Sequence, residues 1–346
     1  MHPRLALLLL GCLALLTACT KEPLYHSQSY VFGTLVDISI YGATEDRAQE
    51  VTAKIQQDFQ RWHDQFHAWQ PHSELSQLNT AFSQGKSAPI SPELANIIQD
   101  ASTWYNLTNG LFNPAIGGLI QAWGFQTDEF KPISIDKNEI SRLVSSHPQM
   151  IDIEIKDGMV TSKNSAVKLD LGGYAKGYAL DRAVQSLRAH DIQHALVNIG
   201  GNIIAIGRHG DKPWRVGIQH PRKPGAIATL DLDDGWAIGT SGDYQRYFLL
   251  NGKRYCHIID PRTGYPAQET RSVTVLVPPG PQAGTLSDAA SKPIFIAAPE
   301  RRMQQAQALG IRDFMLIDGQ DRIFASADMA PRLHWEIADV SPQILH

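Results

Sequence analysis

The sequence predicts an α+β fold in which mixed or antiparallel sheets pack against helices. Two patterns carry that expectation. Apolar residues recur at helical spacing near the start of the chain, at Ala48, Val51, Ile55, Phe59, Trp62 and Phe66. Short strand-like segments then crowd 195–277, joined by turns and not by alternating helices, which favours hairpins over parallel βαβ units. The chain has 346 residues, 43% of them hydrophobic, enough for one large domain or two. A formal charge of −4 with no basic tract argues against nucleic acid as a partner.

The elements follow in order. Residues 1–19 read as an export leader: Arg4 gives the positive start, Leu5 to Leu16 form an apolar run too short to span a bilayer, and Leu16-Thr17-Ala18-Cys19 follows. A cysteine at that place fits a bacterial lipobox, so Cys19 is the expected lipidation site. The mature protein is then expected to be lipid-anchored at the periplasmic face of a membrane. Thr20, where no aspartate follows the cysteine, favours the outer membrane slightly. Residues 20–29 read as a polar tether that leads into the folded part. Once Cys19 is lipidated, Cys256 has no intramolecular partner, and it is expected to pack and not to react.

Tyr30 to Ile40 alternates in part and reads as the opening strand. Thr44 can cap the first long helix. His63 and His67 lie on it at i and i+4, but no HExxH pattern accompanies them, so they read as partly exposed histidines and not as zinc ligands. Ser91-Pro92-Glu93 opens a second helix that runs to Tyr105 and stops at Asn109-Gly110. The stretch 127–150 reads as a connector with a short helix, and Met150 to Val167 as two strands around Asp157-Gly158. A helix over 176–190 follows the Gly172-Gly173 turn. The strands are placed at 195–199, 203–207, 214–218, 227–231, 236–239, 245–250, 254–259 and 271–277. Helices near 285–292 and at 299–309, then strands at 313–317 and 322–325, complete the pattern.

Chemistry concentrates on the turns. His257-Ile258-Ile259-Asp260-Pro261-Arg262-Thr263-Gly264 places an imidazole and a carboxylate beside a proline-fixed turn. Asp170-Leu171-Gly172-Gly173 leads into a helix whose first turn carries Lys176. Paired glycines let a backbone approach a ligand, and an anion would offset the unfavourable placement of a lysine at a helix N-terminus. The spacing is not that of a nucleoside-triphosphate P-loop. Trp123 and Phe125 can stack on a flat heterocycle or cover the core; Asp288 can bind a hard cation or serve its helix terminus.

As a set, ten segments resemble the ApbE family of periplasmic FAD:protein FMN transferases, in family order. They are Phe32-Gly33-Thr34, Ser73-Glu74-Leu75-Ser76 through Asn79, Gly110 to Pro114, Trp123-Gly124-Phe125, Asp170 to Gly173 with Lys176-Gly177, Gly200-Gly201-Asn202, Trp214 to Ile218, Gly239 to Gly242, His257 to Gly264, and Ser287-Asp288-Ala289. The resemblance covers about 30–300 and implies a single catalytic domain over 30–346. It implies an ApbE-like (T-fold-related) architecture with a flavin-nucleotide cleft. It also implies transfer of FMN from FAD to a threonine hydroxyl of an acceptor flavoprotein, with AMP released. The acceptors it implies are subunits of membrane redox complexes (NqrB-, NqrC- or RnfG-like).

On the same resemblance His257 and Asp288 are the catalytic residues. Phe32, Trp69, Trp123, Gly124, Phe125, Asp170, Lys176, His257, Ile258 and Ile259 contact the flavin nucleotide. Gly173 (through its carbonyl), Asp288 and Ser291 hold Mg²⁺. His257 suits the task of general base because imidazole titrates near neutral pH. The alternatives are an FAD pyrophosphatase releasing FMN and AMP, and a non-catalytic flavin-binding lipoprotein. Three residues depart from the family pattern: Asn113 and Asn202, where aspartate is common, and Lys292, where a threonine often helps to hold the metal. A protonated lysine has no lone pair to give. Its ammonium is expected either to point away or to take the cation position itself.

Overall fold

The computed structural model describes residues 23–127, 129–338 and 340–345. The expected leader and the expected lipidation site Cys19 lie outside the described residues. No described helix is long and apolar enough to cross a membrane.

A nine-stranded sheet organises the chain. Its strands are β1 (Leu24–Val31), β2 (Thr34–Tyr41), β6 (Ala195–Ile199), β7 (Asn202–Ile206), β10 (Ala237–Gly242), β13 (Thr270–Val277), β14 (Asp313–Asp318), β15 (Ile323–Ser326) and β17 (Gln343–Leu345), in that spatial order. Neighbours run antiparallel except for β15 and β17, so the sheet is mixed as expected. Strand periodicity divides its side chains between two cores. Ile204, Ile206, Val273, Val275, Phe314 and Leu316 face one core, while Ile203, Ala205, Leu276, Met315 and Ile317 face the other.

The first core lies under helices: α1 (Glu45–Phe66), α2 (Glu74–Ser83), α3 (Pro92–Leu107), α6 (Ala175–Ala189), α7 (Ala283–Ile296) and α8 (Arg302–Ala308). The second lies under a small sheet of β8 (Trp214–Gln219), β9 (Ala226–Leu232) and β16 (His334–Trp335). A third, smaller cluster joins α4 (Gly117–Ala122) and α5 (Lys137–Ser145) to the hairpin of β11 (Tyr247–Leu250) and β12 (Lys253–Cys256). The strands β3 (Ala88–Pro89), β4 (Ile153–Lys156) and β5 (Met159–Ser162) form a separate sheet.

Two expectations are corrected. Residues 24–29 are not tether but part of β1, paired with β2 through eight successive residues. An edge strand needs few apolar residues because its backbone bonds and one covered face hold it, which is why its polar sequence misled. Phe32 and Gly33 turn the chain between the two strands at φ 57° and 69°, as a two-residue hairpin requires. The second concerns 74–83, where the apolar spacing suggests no element: the chain forms α2 there, capped by Ser73, which accepts from the Ser76 N–H at 3.0 Å.

Candidate active site

The site begins with a carboxylate that close backbone packing has buried. Asp288 sits on α7, fully shielded, and α7 is pressed against both α6 and β10. Two glycines permit this approach. A Cβ on Gly177 of α6 would stand 2.4 Å from the Gly284 carbonyl, and one on Gly239 of β10 would stand 2.2 Å from the Ser287 carbonyl. Asp181, also on α6, accepts from the Gly284 and Thr285 N–H groups at 2.7 and 2.8 Å and from the Thr285 hydroxyl. It thus caps the start of α7 across the interface and fixes where Asp288 falls.

Two ammonium groups answer that carboxylate. Lys292, one turn further along α7, donates from Nζ to Oδ1 of Asp288 and, at 2.6 Å, to the Asp288 carbonyl. Lys176 reaches the other carboxylate oxygen from α6 at 3.5 Å and the Gly172 carbonyl at 3.3 Å. The Gly177 N–H donates to Oδ2 at 3.2 Å. Burial alone would raise the Asp288 carboxyl, but Lys176 and Lys292 outweigh it and hold the group far below the usual carboxylate range. Burial pulls Lys292 down to about 8 despite the attraction of Asp288. The Ser291 hydroxyl donates to the Asp288 carbonyl at 2.8 Å and shares a 2.7 Å bond with Ser241 of β10.

The proton-handling group comes from the aromatic side. His257 lies just after β12, which ends at Cys256 and is shorter than the strand expected over 254–259. Its Nδ1 lies 3.2 Å from the Arg246 carbonyl, and its N–H donates to the same oxygen at 3.1 Å. A carbonyl only accepts, so Nδ1 carries the proton and Nε2 is left with a lone pair. Burial, then Arg246, Lys176 and Lys292, push the imidazole down to about 3. Beneath it, Phe125 meets the imidazole edge-on at 6.4 Å and gives its carbonyl to Arg246 at 2.9 Å.

A buried carboxylate flanked by two ammonium groups suits an anionic substrate, and a His257 ring whose Nδ1 is turned to a carbonyl can accept a proton on Nε2. Residues 32–315 match the sequence model of the ApbE family. The chain belongs to the ApbE family. It is 39% identical over 327 residues to a FAD:protein FMN transferase of Rhodobacter capsulatus, a match that spans 94% of this chain and 61% of that protein. The chain thus spans about three-fifths of that relative's length. It is 28% identical over 325 residues to a FAD:protein FMN transferase of Klebsiella pneumoniae, with 89% of this chain and 91% of that protein covered. The crystal structure of the ApbE protein of Thermotoga maritima superposes with a TM-score of 0.81 at 30% identity, over 90% of this chain and 99% of that one. The flavin transferase ApbE of Vibrio cholerae gives 0.77 at 26% identity, with the same coverage.

Within this ApbE fold the sequence-predicted residues separate into two groups. Lys176, Asp288, Ser291 and Lys292 come together with Gly173 against the Lys292 stem, while His257 stands on the Arg246 carbonyl and the Phe125 ring. Asp170 accepts from the Gly172 N–H at 2.8 Å and shapes the turn that delivers Lys176. Trp69 carries the ammonium of Lys168 4.5 Å from its indole centroid, two residues before Asp170 in the chain. Phe32 packs edge-on against His63 at 5.9 Å, and His63 against His67 at 5.2 Å, so the three rings form one aromatic corner.

The side chains of Trp123, Phe125, Ile258 and Ile259 are core and not ring-stacking surfaces. Trp123 is fully buried; it stacks on Tyr255 at 5.2 Å and donates to the Gly264 carbonyl at 2.6 Å. Gly124 serves a turn at φ 74°. These residues support the His257 segment from below. Cys256 is buried, and burial pushes its thiol up to about 12, as suits a packing role. Arg246 and Asp181 were missed by sequence reasoning, since neither lies in a pattern that marks it.

The Mg²⁺ set implied by the family does not fit these residues. Both oxygens of Asp288 are already engaged by ammonium groups, and Ser291 is turned to Ser241 and a carbonyl. A divalent ion here would face two positive charges with one carboxylate to offset them, where magnesium needs a near-octahedral set of oxygens. Among the described residues no group of three His, Cys, Asp or Glu side chains is placed to hold a metal ion.

Proposed function

We propose that this chain transfers FMN from FAD to a threonine hydroxyl of an acceptor flavoprotein and releases AMP. What carries the proposal is that one fold presents His257, its Nδ1 on the Arg246 carbonyl and its Nε2 left to accept, together with an ammonium pair around the buried Asp288. The threonine oxygen attacks the phosphorus on the riboflavin side of the pyrophosphate, its proton passes to Nε2, and the P–O bond to AMP breaks. Lys176 and Lys292 face the phosphate oxygens, where charge accumulates as the leaving phosphate departs. Binding the anionic pyrophosphate also offsets the lysine charges that depress His257, so the base strengthens once substrate is present. No step passes through Mg²⁺.

The acceptors would be flavoprotein subunits of membrane redox complexes, NqrB-, NqrC- or RnfG-like. The leader and Cys19 support a lipid-anchored enzyme at the periplasmic face, with the outer membrane slightly favoured. The test is the intact mass of a threonine-containing acceptor domain after incubation with FAD and the chain from residue 20 onward. A gain of one FMN less water supports the transfer. Free FMN and AMP with no gain would mean a pyrophosphatase, and intact FAD with tight binding would mean a non-catalytic carrier.

A further inference from the structure

We propose that the Lys292 ammonium is the resident cation of this site and neutralises the pyrophosphate in place of a divalent metal ion. The residue stands four positions after Asp288, so both side chains leave the same face of α7. Its stem passes Gly173, where a Cβ would lie 3.3 Å from Lys292 Cε, and its tip ends on the Asp288 carboxylate and carbonyl. The ammonium therefore occupies the space between Asp288 and Gly173 that the family pattern gives to a metal.

An ammonium has three N–H donors, and two are used on Asp288. The third remains for a phosphate oxygen, and the side chain keeps 16% of its surface open to receive one. Lys176 supplies a second cation from α6, and the paired Asp288 keeps both from repelling each other apart. A lysine brings one positive charge where magnesium would bring two. The pyrophosphate is therefore held by two point charges on opposing helices and needs no metal to bind.

This inference rests on the flavin-transferase reading only for the identity of the dinucleotide. The test is FAD affinity by flavin fluorescence, in EDTA and in millimolar Mg²⁺, for the native chain, Lys292→Thr and Lys292→Met, with acceptor mass followed in parallel. Native affinity is expected to be the same in both buffers. Lys292→Thr should weaken FAD by at least about tenfold in EDTA and recover with Mg²⁺, since a threonine oxygen and the freed carboxylate can hold the ion. Lys292→Met should weaken it similarly and recover less, having no oxygen to offer.

Native binding that collapses in EDTA, or Lys292→Thr binding FAD normally there, would overturn the inference and leave the transferase reading intact. EDTA-resistant, Lys292-dependent FAD binding without any acceptor mass gain would uphold it and count against the transferase. No FAD binding in either buffer would overturn both.

Discussion

The phosphate side and the base side of the site are built by opposite means. On the phosphate side, helices α6 and α7 and strand β10 meet backbone to backbone through Gly177 and Gly239, and the polar groups fill the little space that remains. On the base side, His257 rests on a stack of large rings, Trp123, Phe248, Tyr255 and Phe125. Small residues set positions by contact of the main chain, which cannot yield. Rings set them by side-chain packing, which can adjust. The charged half should therefore fail abruptly when perturbed, and the base half should degrade by degrees.

The sharpest break is chemical. His257→Ala removes the proton acceptor and should slow transfer by roughly 10²–10⁴-fold, with FAD affinity nearly unchanged, as single-turnover rates and fluorescence titration can show. Next comes Gly239→Ala, whose added carbon would collide with the Ser287 carbonyl. Overpacking against main chain is expected to destabilise the protein by about 1–3 kcal/mol and to displace Asp288, measured by urea unfolding together with loss of FAD binding. Trp123→Phe should cost less and act differently. It loses the bond to the Gly264 carbonyl, about 1 kcal/mol, and should lower the transfer rate with FAD affinity retained.

The smallest effect is a pH dependence. His257 is held at about 3 when folded and titrates near 6.5 when unfolded, so the unfolded chain binds the extra proton between those values. Stability should thus fall as the solution is acidified through that window. From pH 7 to 5 the loss is on the order of 1–2 kcal/mol, and His257→Gln should lack it in parallel unfolding curves. An identical acid slope in native and variant would show that the imidazole is not buried as a neutral group.

The asymmetry also decides what the sequence made legible. The phosphate side was readable because glycines, a carboxylate and lysines recur at fixed spacing: Asp170 to Lys176 and Asp288 to Lys292 are local in the chain. Even the conflict between Lys292 and a metal was visible there. Asp181 was not, because its capping of α7 joins residues about a hundred positions apart. On the base side His257 stood out, but Trp123 and Phe125 look the same in sequence whether they stack on a ligand or on Tyr255 and Phe248. Only the fold separates those cases. Elements carried by backbone pairing were the least legible, as the polar edge strand β1 shows.

The central claim is that the two halves meet at one phosphorus with separate duties: cations bind, and His257 moves the proton. Its most direct test is the acceptor's intact mass over time across a range of FAD concentrations, for the native chain, His257→Ala and Lys176→Met. The account predicts that the native chain adds one FMN less water. His257→Ala should hold FAD but label the acceptor at least about a hundredfold more slowly, and Lys176→Met should label only at raised FAD concentration. Labelling by His257→Ala at the native rate would contradict it.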